Sequence, residues 1–203
     1  MEFKDSIRIF DDAFTKEECL RLIESHTNAM NSGAAWEGGY GELAQHKKSV
    51  DWDIIKGDND NDRELTNLVA NRFNEHHLRY LRYFSPWAQF DTSSVIMNQT
   101  YYPVFQIQKY QKEEGHFNTW HLENYNKDTS NRLFVFILYL NDVEEGGETA
   151  FYFKEKDESD YFKVKPKQGR LIIHPAAWPY VHKGCMPISD NKIILTSWCC
   201  YTN

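Results

Sequence analysis

The sequence predicts a mainly β protein with flanking helices, a double-sheet β barrel or sandwich with a helical side. Three observations carry that expectation. Two stretches of helical periodicity come first. Seven or eight short segments rich in Val, Ile, Phe, Tyr and Trp follow, parted by turn-forming clusters. No linker, repeat or low-complexity stretch interrupts the 203 residues, so the chain reads as one domain, with a helical flank over about 1–90 and a β core over about 91–203.

In chain order, IRIF at 7–10 reads as a short strand ended by Asp11 and Asp12. Thr15, with Glu18 three residues on, forms a capping box, and Phe14 is placed to staple onto Cys19. The helix that follows turns Cys19, Leu22 and Ile23 inward, with His26 and Met30 at the margin. Residues 31–62 are glycine-rich and polar, a surface loop or a border of a substrate entrance, except for KKSVDWDII, which reads as a strand. The longest helix is expected over 63–84, where Leu65, Leu68, Val69, Phe73, Tyr80 and Leu81 recur at helical spacing before Pro86. His76 and His77 are adjacent, about 100° apart around a helix, and are read as surface residues. Strands are expected near 94–99, 103–110, 117–123, 132–140, 161–165, 169–174 and 192–200. RLFVFILYL is apolar on both faces and belongs at the centre of a sheet.

Composition excludes several classes. Hydrophobic residues at 41% and aromatics at 15% mark a globular chain. A net charge of -7 with a pI near 5.6 argues against nucleic-acid partners, which need a basic surface. No apolar run approaches the roughly 20 residues of a membrane span, so no membrane partner is expected. The opening MEFKDSIRIF lacks the regions of a signal peptide, and the expected setting is soluble and cytoplasmic. The four cysteines show no C-x-x-C spacing and are expected to be reduced thiols. Nothing specifies an oligomeric state.

The chemistry gathers in YQKEEGHFNTWHLE, residues 110–123. His121 and Glu123 lie two apart, so on an extended chain both project from one face. His182 is the best candidate for a third donor. Two histidines and a carboxylate on one face of an octahedron are the usual site of a non-haem Fe(II) oxygenase, with positions left for a co-substrate and oxygen. A chain with eight histidines and thirty acidic residues offers such a pair by chance, so the pair alone defines nothing. Lys192, ten residues past His182, heads the apolar strand KIILTSW. A buried ammonium needs an anion, and Ile194, Thr196 and Trp198 share its parity. His174 is a rival third ligand, read as structural, and Trp120 and Trp178 are read as core residues.

In order and spacing, Tyr110…Gly115, His121-x-Glu123, Tyr139-Leu140-Asn141, Gly146-Gly147-Glu148-Thr149-x-Phe151, Val164-x-Pro166-x-x-Gly169, His182, Lys192 and Trp198 resemble the prolyl 4-hydroxylase-like branch of the 2-oxoglutarate/Fe(II)-dependent dioxygenases. The resemblance implies a double-stranded β-helix (jelly-roll, cupin-like) fold. It implies His121, Glu123 and His182 as iron ligands and catalytic centre. Lys192 is implied to grip the far carboxylate of 2-oxoglutarate, with Tyr110, Tyr139 and Thr149 lining that pocket. The implied cofactors are Fe(II), 2-oxoglutarate and O2, with ascorbate as reductant. The implied reaction is hydroxylation of an unactivated C–H bond, most readily of a prolyl residue in a peptide or protein. A free amino acid or other small metabolite is the alternative substrate, and a catalytically silent binding module the alternative class. Two departures stand out. Glu123 occupies a position where the family usually has aspartate, and the interval from Tyr110 to Gly115 is longer than the common pattern.

Overall fold

The computed structural model describes residues 2–39, 45–54, 59–84, 92–153 and 161–202. Its strands are β1 (Arg8–Phe10), β2 (Trp36–Gly38), β3 (Lys47–Asp53), β4 (Thr100–Tyr101), β5 (Gln106–Tyr110), β6 (His116–His121), β7 (Arg132–Tyr139), β8 (Thr149–Phe151), β9 (Phe162–Val164), β10 (Leu171–Pro175), β11 (His182–Gly184) and β12 (Lys192–Tyr201). Its helices are α1 (Lys16–Asn31), α2 (Asp60–Phe84) and α3 (Thr92–Asn98). The strands hydrogen-bond in the order β1-β10-β7-β12-β5-β3-β6-β11-β8-β9, with β2 beside β3 and β4 beside β12. Every pairing is antiparallel. The expected mainly β, double-stranded β-helix architecture is what the chain adopts.

Alternation along the central strands divides the core in two. On β7, Phe136 and Leu138 join Leu195 of β12 and Leu171 and Ile173 of β10 against Leu22 of α1 and Leu65, Val69 and Phe73 of α2. Val135, Ile137 and Tyr139 of β7 point the other way, into the barrel, where they meet Ile194, Phe151, Val164 and Ile172. RLFVFILYL is therefore apolar on both faces because both faces are covered. Helix α1 starts on the expected box: Thr15 Oγ1 accepts from the Glu18 amide at 3.2 Å, and the Thr15 amide donates to Glu18 Oε2 at 2.8 Å. Its buried residues are Cys19, Leu22, Ser25, His26 and Ala29, and His26 Nε2 meets the Val50 carbonyl at 3.0 Å.

Two expectations are corrected, and one is extended. The segment near 94–99 is helical, with Ile96 and Met97 packed on the helix-side core; tertiary packing overrides β propensity there. The strand expected within 31–62 forms as β3, which carries the sheet from β5 to β6. Residues 40–44 and 55–58 of that stretch, and Pro86 after α2, lie outside the described residues. His76 and His77 are buried, because α2 meets the chain on more than one side. His77 stands edge-on to Phe134 and Phe136 at 5.4 Å from each, and Phe10 packs on His76 at 5.2 Å. No described helix is long and apolar enough to cross a membrane.

Burial of His77 holds its imidazole down to about 4. A folded-state value below the ordinary 6.5 means that its contribution is complete above that pH and is lost as pH falls through 4. His77→Phe is therefore expected to flatten the decline of unfolding free energy between pH 6.5 and 4, by up to roughly 3 kcal/mol at the acid end. Urea denaturation of both proteins across that range checks it; parallel curves would remove His77 from the acid transition.

Candidate metal centre

Strand register builds the centre. His121 of β6 and His182 of β11 are direct cross-strand partners, so both imidazoles leave the same face of the sheet. Their ring centroids lie 4.4 Å apart. Glu123 follows two residues after His121, where its amide and that of Asn124 donate to the Ala176 carbonyl at 3.2 and 3.1 Å. Its Oε1 lies 3.5 Å from His121 Nε2 and 3.8 Å from His182 Nε2. One donor atom from each of the three residues falls within 4.8 Å of the others.

The donor chemistry suits a divalent transition metal. His121 Nδ1 contacts the Thr119 carbonyl at 2.9 Å and His182 Nδ1 the Tyr180 carbonyl at 3.1 Å. A carbonyl can only accept, so each Nδ1 carries a proton, which leaves Nε2 as the nitrogen of each ring that a metal would take. Burial, reinforced by the neighbouring His121 and His174, drives His182 far below its ordinary value and keeps it neutral. Burial alone would raise the Glu123 carboxyl, but it lies below its ordinary value, with the Arg132 guanidinium 2.9 Å away as the cation that holds it ionised. Two imidazoles that turn Nε2 inward and one carboxylate are the donor set that Fe(II) takes in facial sites.

Glu123 is also held from behind. Its Oε2 accepts from Arg132 Nη1 at 2.9 Å and from Trp198 Nε1 at 3.0 Å. The Arg132 guanidinium lies 4.0 Å over the Trp198 ring. The sequence gives no sign of the role of Arg132, and places Trp198 on the inner face without assigning it a partner.

A cavity of about 770 Å³ opens beside the three residues, with Lys192 in its wall. Three cations line it. Lys47 is paired with Asp51 at 2.6 Å and Arg132 with Glu123. Lys192 is 3% exposed and makes no ion pair among the described residues. Its ammonium faces the rings of Tyr110 at 5.4 Å and Tyr139 at 5.7 Å. Burial pulls its pKa down to about 8. A Cβ on Gly184 would sit 3.7 Å from Lys192 Nζ, within the space beside the ammonium.

The remaining expected residues are placed as follows. Tyr110 lines the cavity, and its hydroxyl donates to Gln108 Oε1 at 2.6 Å. Its longer interval to Gly115 is taken up by a turn in which the Gly115 amide donates to the Gln111 carbonyl at 2.6 Å. A Cβ on Gly115 would collide with the Gln111 nitrogen. Thr149 is in the cavity wall. The Tyr139 hydroxyl points behind that wall, donating to the Val164 carbonyl at 3.1 Å and accepting from Thr149 Oγ1 at 2.6 Å; only its ring approaches Lys192. His174 is fully buried with its ring 4.8 Å from that of His182, outside the cluster of donor atoms. Trp178 is 75% exposed, and Trp120 packs with Tyr161 at 4.9 Å and Tyr152 at 5.8 Å, so neither belongs to the core. The loop at Trp178 turns outward between β10 and β11, while Trp120 alternates away from the inward His121.

Comparison with known proteins agrees with the motif order. Residues 105–200 match the 2OG-Fe(II) oxygenase superfamily. Prolyl 4-hydroxylase 13 of Arabidopsis thaliana is 34% identical over 48% of this chain and 43% of its own length. Probable prolyl 4-hydroxylase 9 of the same plant is 32% identical over 46% and 39%. The chain thus spans about two fifths of the length of the curated relatives it matches. Among solved structures, a viral collagen prolyl hydroxylase from Paramecium Bursaria Chlorella virus-1, in complex with 2-oxoglutarate, superposes with a TM-score of 0.64 at 18% identity, over 97% of both chains. A Trichoplax adhaerens prolyl hydroxylase bound to a hypoxia inducible factor peptide gives 0.68 at 16% identity, over 97% of this chain and 84% of that one. At such identities these two likenesses speak for the fold.

His121→Ala and His182→Ala are each expected to lose stoichiometric binding of Co(II), used as a spectroscopic stand-in for Fe(II), whereas His174→Gln keeps it. Visible absorption titrations test this, and a His174 variant that lost the metal while a His182 variant kept it would reassign the third donor.

Proposed function

We propose that this chain, whose residues 105–200 match the 2OG-Fe(II) oxygenase superfamily, is an Fe(II)- and 2-oxoglutarate-dependent dioxygenase hydroxylating a prolyl residue in a peptide or protein. One observation carries the reading: a two-histidine, one-carboxylate cluster and a buried ammonium without an ion pair among the described residues share one cavity. The cluster accounts for a metal, and the ammonium accounts for an anionic co-substrate. The prolyl substrate is supported by the names of the relatives and by the peptide complex of the Trichoplax enzyme.

His121, Glu123 and His182 would hold the iron. Iron bound there supplies oxidative chemistry in which 2-oxoglutarate loses CO2 to become succinate, one atom of O2 entering succinate and the other the substrate. Ascorbate is proposed as the reductant that keeps the metal ferrous. The protein's own part is positional and electrostatic. Lys192 offers a point charge to the far carboxylate of 2-oxoglutarate, and a buried ammonium gains much from such a partner. The Tyr110 ring lies 5.4 Å from that ammonium, and its hydroxyl, which donates to Gln108, would turn its proton to the carboxylate. Phe117, stacked on His121 at 4.0 Å, and Phe151, 5.6 Å from His182, shield the imidazoles from water and fix their planes.

Succinate formation from 2-oxoglutarate, with Fe(II), O2, ascorbate and a proline-rich peptide, is the direct test. Wild type is expected to turn over, and Glu123→Ala to be silent. The same peptide with proline replaced by alanine is expected to lose stimulation, and stimulation by free amino acids alone would favour the small-metabolite class. Stoichiometric metal uptake with no 2-oxoglutarate binding or turnover would favour the silent module.

Lys192→Ala is expected to raise the Kd for 2-oxoglutarate at least tenfold with little change in metal affinity. Because the free ammonium titrates near 8, it is charged below that pH and must take up a proton to bind the dianion above it. The Kd, measured with Mn(II) in place of iron, is expected to rise between pH 7.5 and 9.5, approaching roughly tenfold per unit at the upper end. Lys192→Arg is expected to flatten that rise, and a slope unchanged in Lys192→Arg would assign it to another group.

A further inference from the structure

Glu123 is one methylene longer than the aspartate usual at its position, and both of its carboxylate oxygens have partners. Oε1 faces His121 Nε2 and His182 Nε2. Oε2 accepts from Arg132 Nη1 and from Trp198 Nε1, and Arg132 Nη1 also reaches the Glu123 carbonyl at 3.3 Å. The two donors hold each other, since the guanidinium lies over the indole. A free glutamate side chain turns about three torsions and offers either oxygen, or both, to a metal. Here one oxygen is taken and the torsions are pinned.

The geometry points to Arg132 and Trp198 as positioning residues that limit Glu123 to a single metal-facing oxygen. This rests on the oxygenase reading above and adds how the longer carboxylate is made to serve in it. The bracket has a backbone cause. Along β7, Trp198 faces Val135 and Cys199 faces Phe134, but Cys200 faces Arg132, so Leu133 is an extra residue in the ladder. A bulge of that kind re-aims the side chain beyond it. Without it Arg132 would share the parity of Phe134 and Phe136 and point at α2; with it the guanidinium enters the cavity wall. The Glu123 end is equally fixed, because the Asn124 side chain donates to the Arg132 carbonyl at 3.0 Å, tying the two backbones together. Such outer partners set the orientation of a ligating group, and their loss typically costs about 10–100-fold in metal affinity.

The test is Co(II) titration of the full chain, followed by calorimetry and visible absorption, with melting of each metal-free variant as the fold control. Arg132→Met is expected to weaken Co(II) about 10–100-fold and to change the intensity of the visible bands. Arg132→Lys is expected to recover part of the affinity, and Trp198→Phe, which keeps the ring but not the N–H, to lose less than Arg132→Met. Glu123→Asp alone is expected to lose affinity, since a shorter carboxylate cannot span bracket and metal together. In that background Arg132→Met should add less than about threefold, the non-additivity of residues that act as a unit. The inference is overturned if Arg132→Met and Trp198→Phe bind Co(II) with wild-type affinity and spectrum. It is equally overturned if the losses multiply in the Glu123→Asp background. A wild type that takes up no Co(II) overturns the oxygenase reading itself, which separates the two failures.

Discussion

Strand β12 imposes the constraint on which the rest of the molecule depends, because its two faces must satisfy opposite demands. Leu195 and Cys199 close the core under the helices, while Lys192, Ile194, Thr196 and Trp198 line the cavity. The strand is bonded to β5 over Lys192–Thr196, to β7 over Ile194–Cys200 and to β4 at its end, so its register cannot slip by one residue. A slip would bury the ammonium among the leucines and phenylalanines of the α2 side. It would also take the indole away from Glu123. The same hydrogen-bond ladder that stabilises the barrel therefore sets the depth of Lys192 and the position of Trp198. The helices contribute indirectly: Phe73, stacked on Phe136 at 4.9 Å, seals the apolar face and leaves the other face to chemistry.

Polar groups near the cavity are costly unless matched, and their partners sort them by role. Asp51 is matched by Lys47 and by Ser49, whose hydroxyl donates at 2.7 Å. Gln108 accepts from the Tyr110 hydroxyl and donates to Gln106, which donates to Asp53 at 3.1 Å. The Lys47–Asp51–Ser49 group reads as framework, while the chain that ends on Asp53 begins at the one hydroxyl proposed to turn to a co-substrate. Lys192 has only aromatic faces and no described ion pair, and the Nε2 atoms of His121 and His182 meet one carboxylate oxygen. An anion and a metal are the partners that such groups take. That pattern, more than the cavity itself, separates a site from a well-packed polar wall.

How far the sequence spoke follows from which features are local. Capping at Thr15, the two-faced strand at 132–140 and the joint projection of His121 and Glu123 depend on neighbouring residues, and all were legible. So was the parity that carries Lys192 and Trp198 inward. What the sequence hid depends on contacts between distant elements. The burial of His76 and His77 needs Phe10, Phe134 and Phe136 to arrive from elsewhere. The role of β3 as the link between β5 and β6 cannot be seen from a polar, glycine-rich neighbourhood. Tyr139 shows the limit of parity: the ring is on the expected face, yet its hydroxyl is spent on Val164 and Thr149.

Arg132 is the sharpest case, since parity counted from the strand predicts the wrong face for it. A single extra residue at Leu133 reverses the direction, and no composition signal marks a bulge of this kind. A charged residue heading an apolar strand was the available clue, the same one that singled out Lys192. The two cations then have different fates for one physical reason. Arg132 meets a carboxylate and an indole, and its charge is spent holding Glu123. Lys192 meets two aromatic rings, which soften the cost of burial without neutralising the ammonium. Within one cavity, the guanidinium with its several fixed donors is used to orient a group, and the compact ammonium is left to attract one.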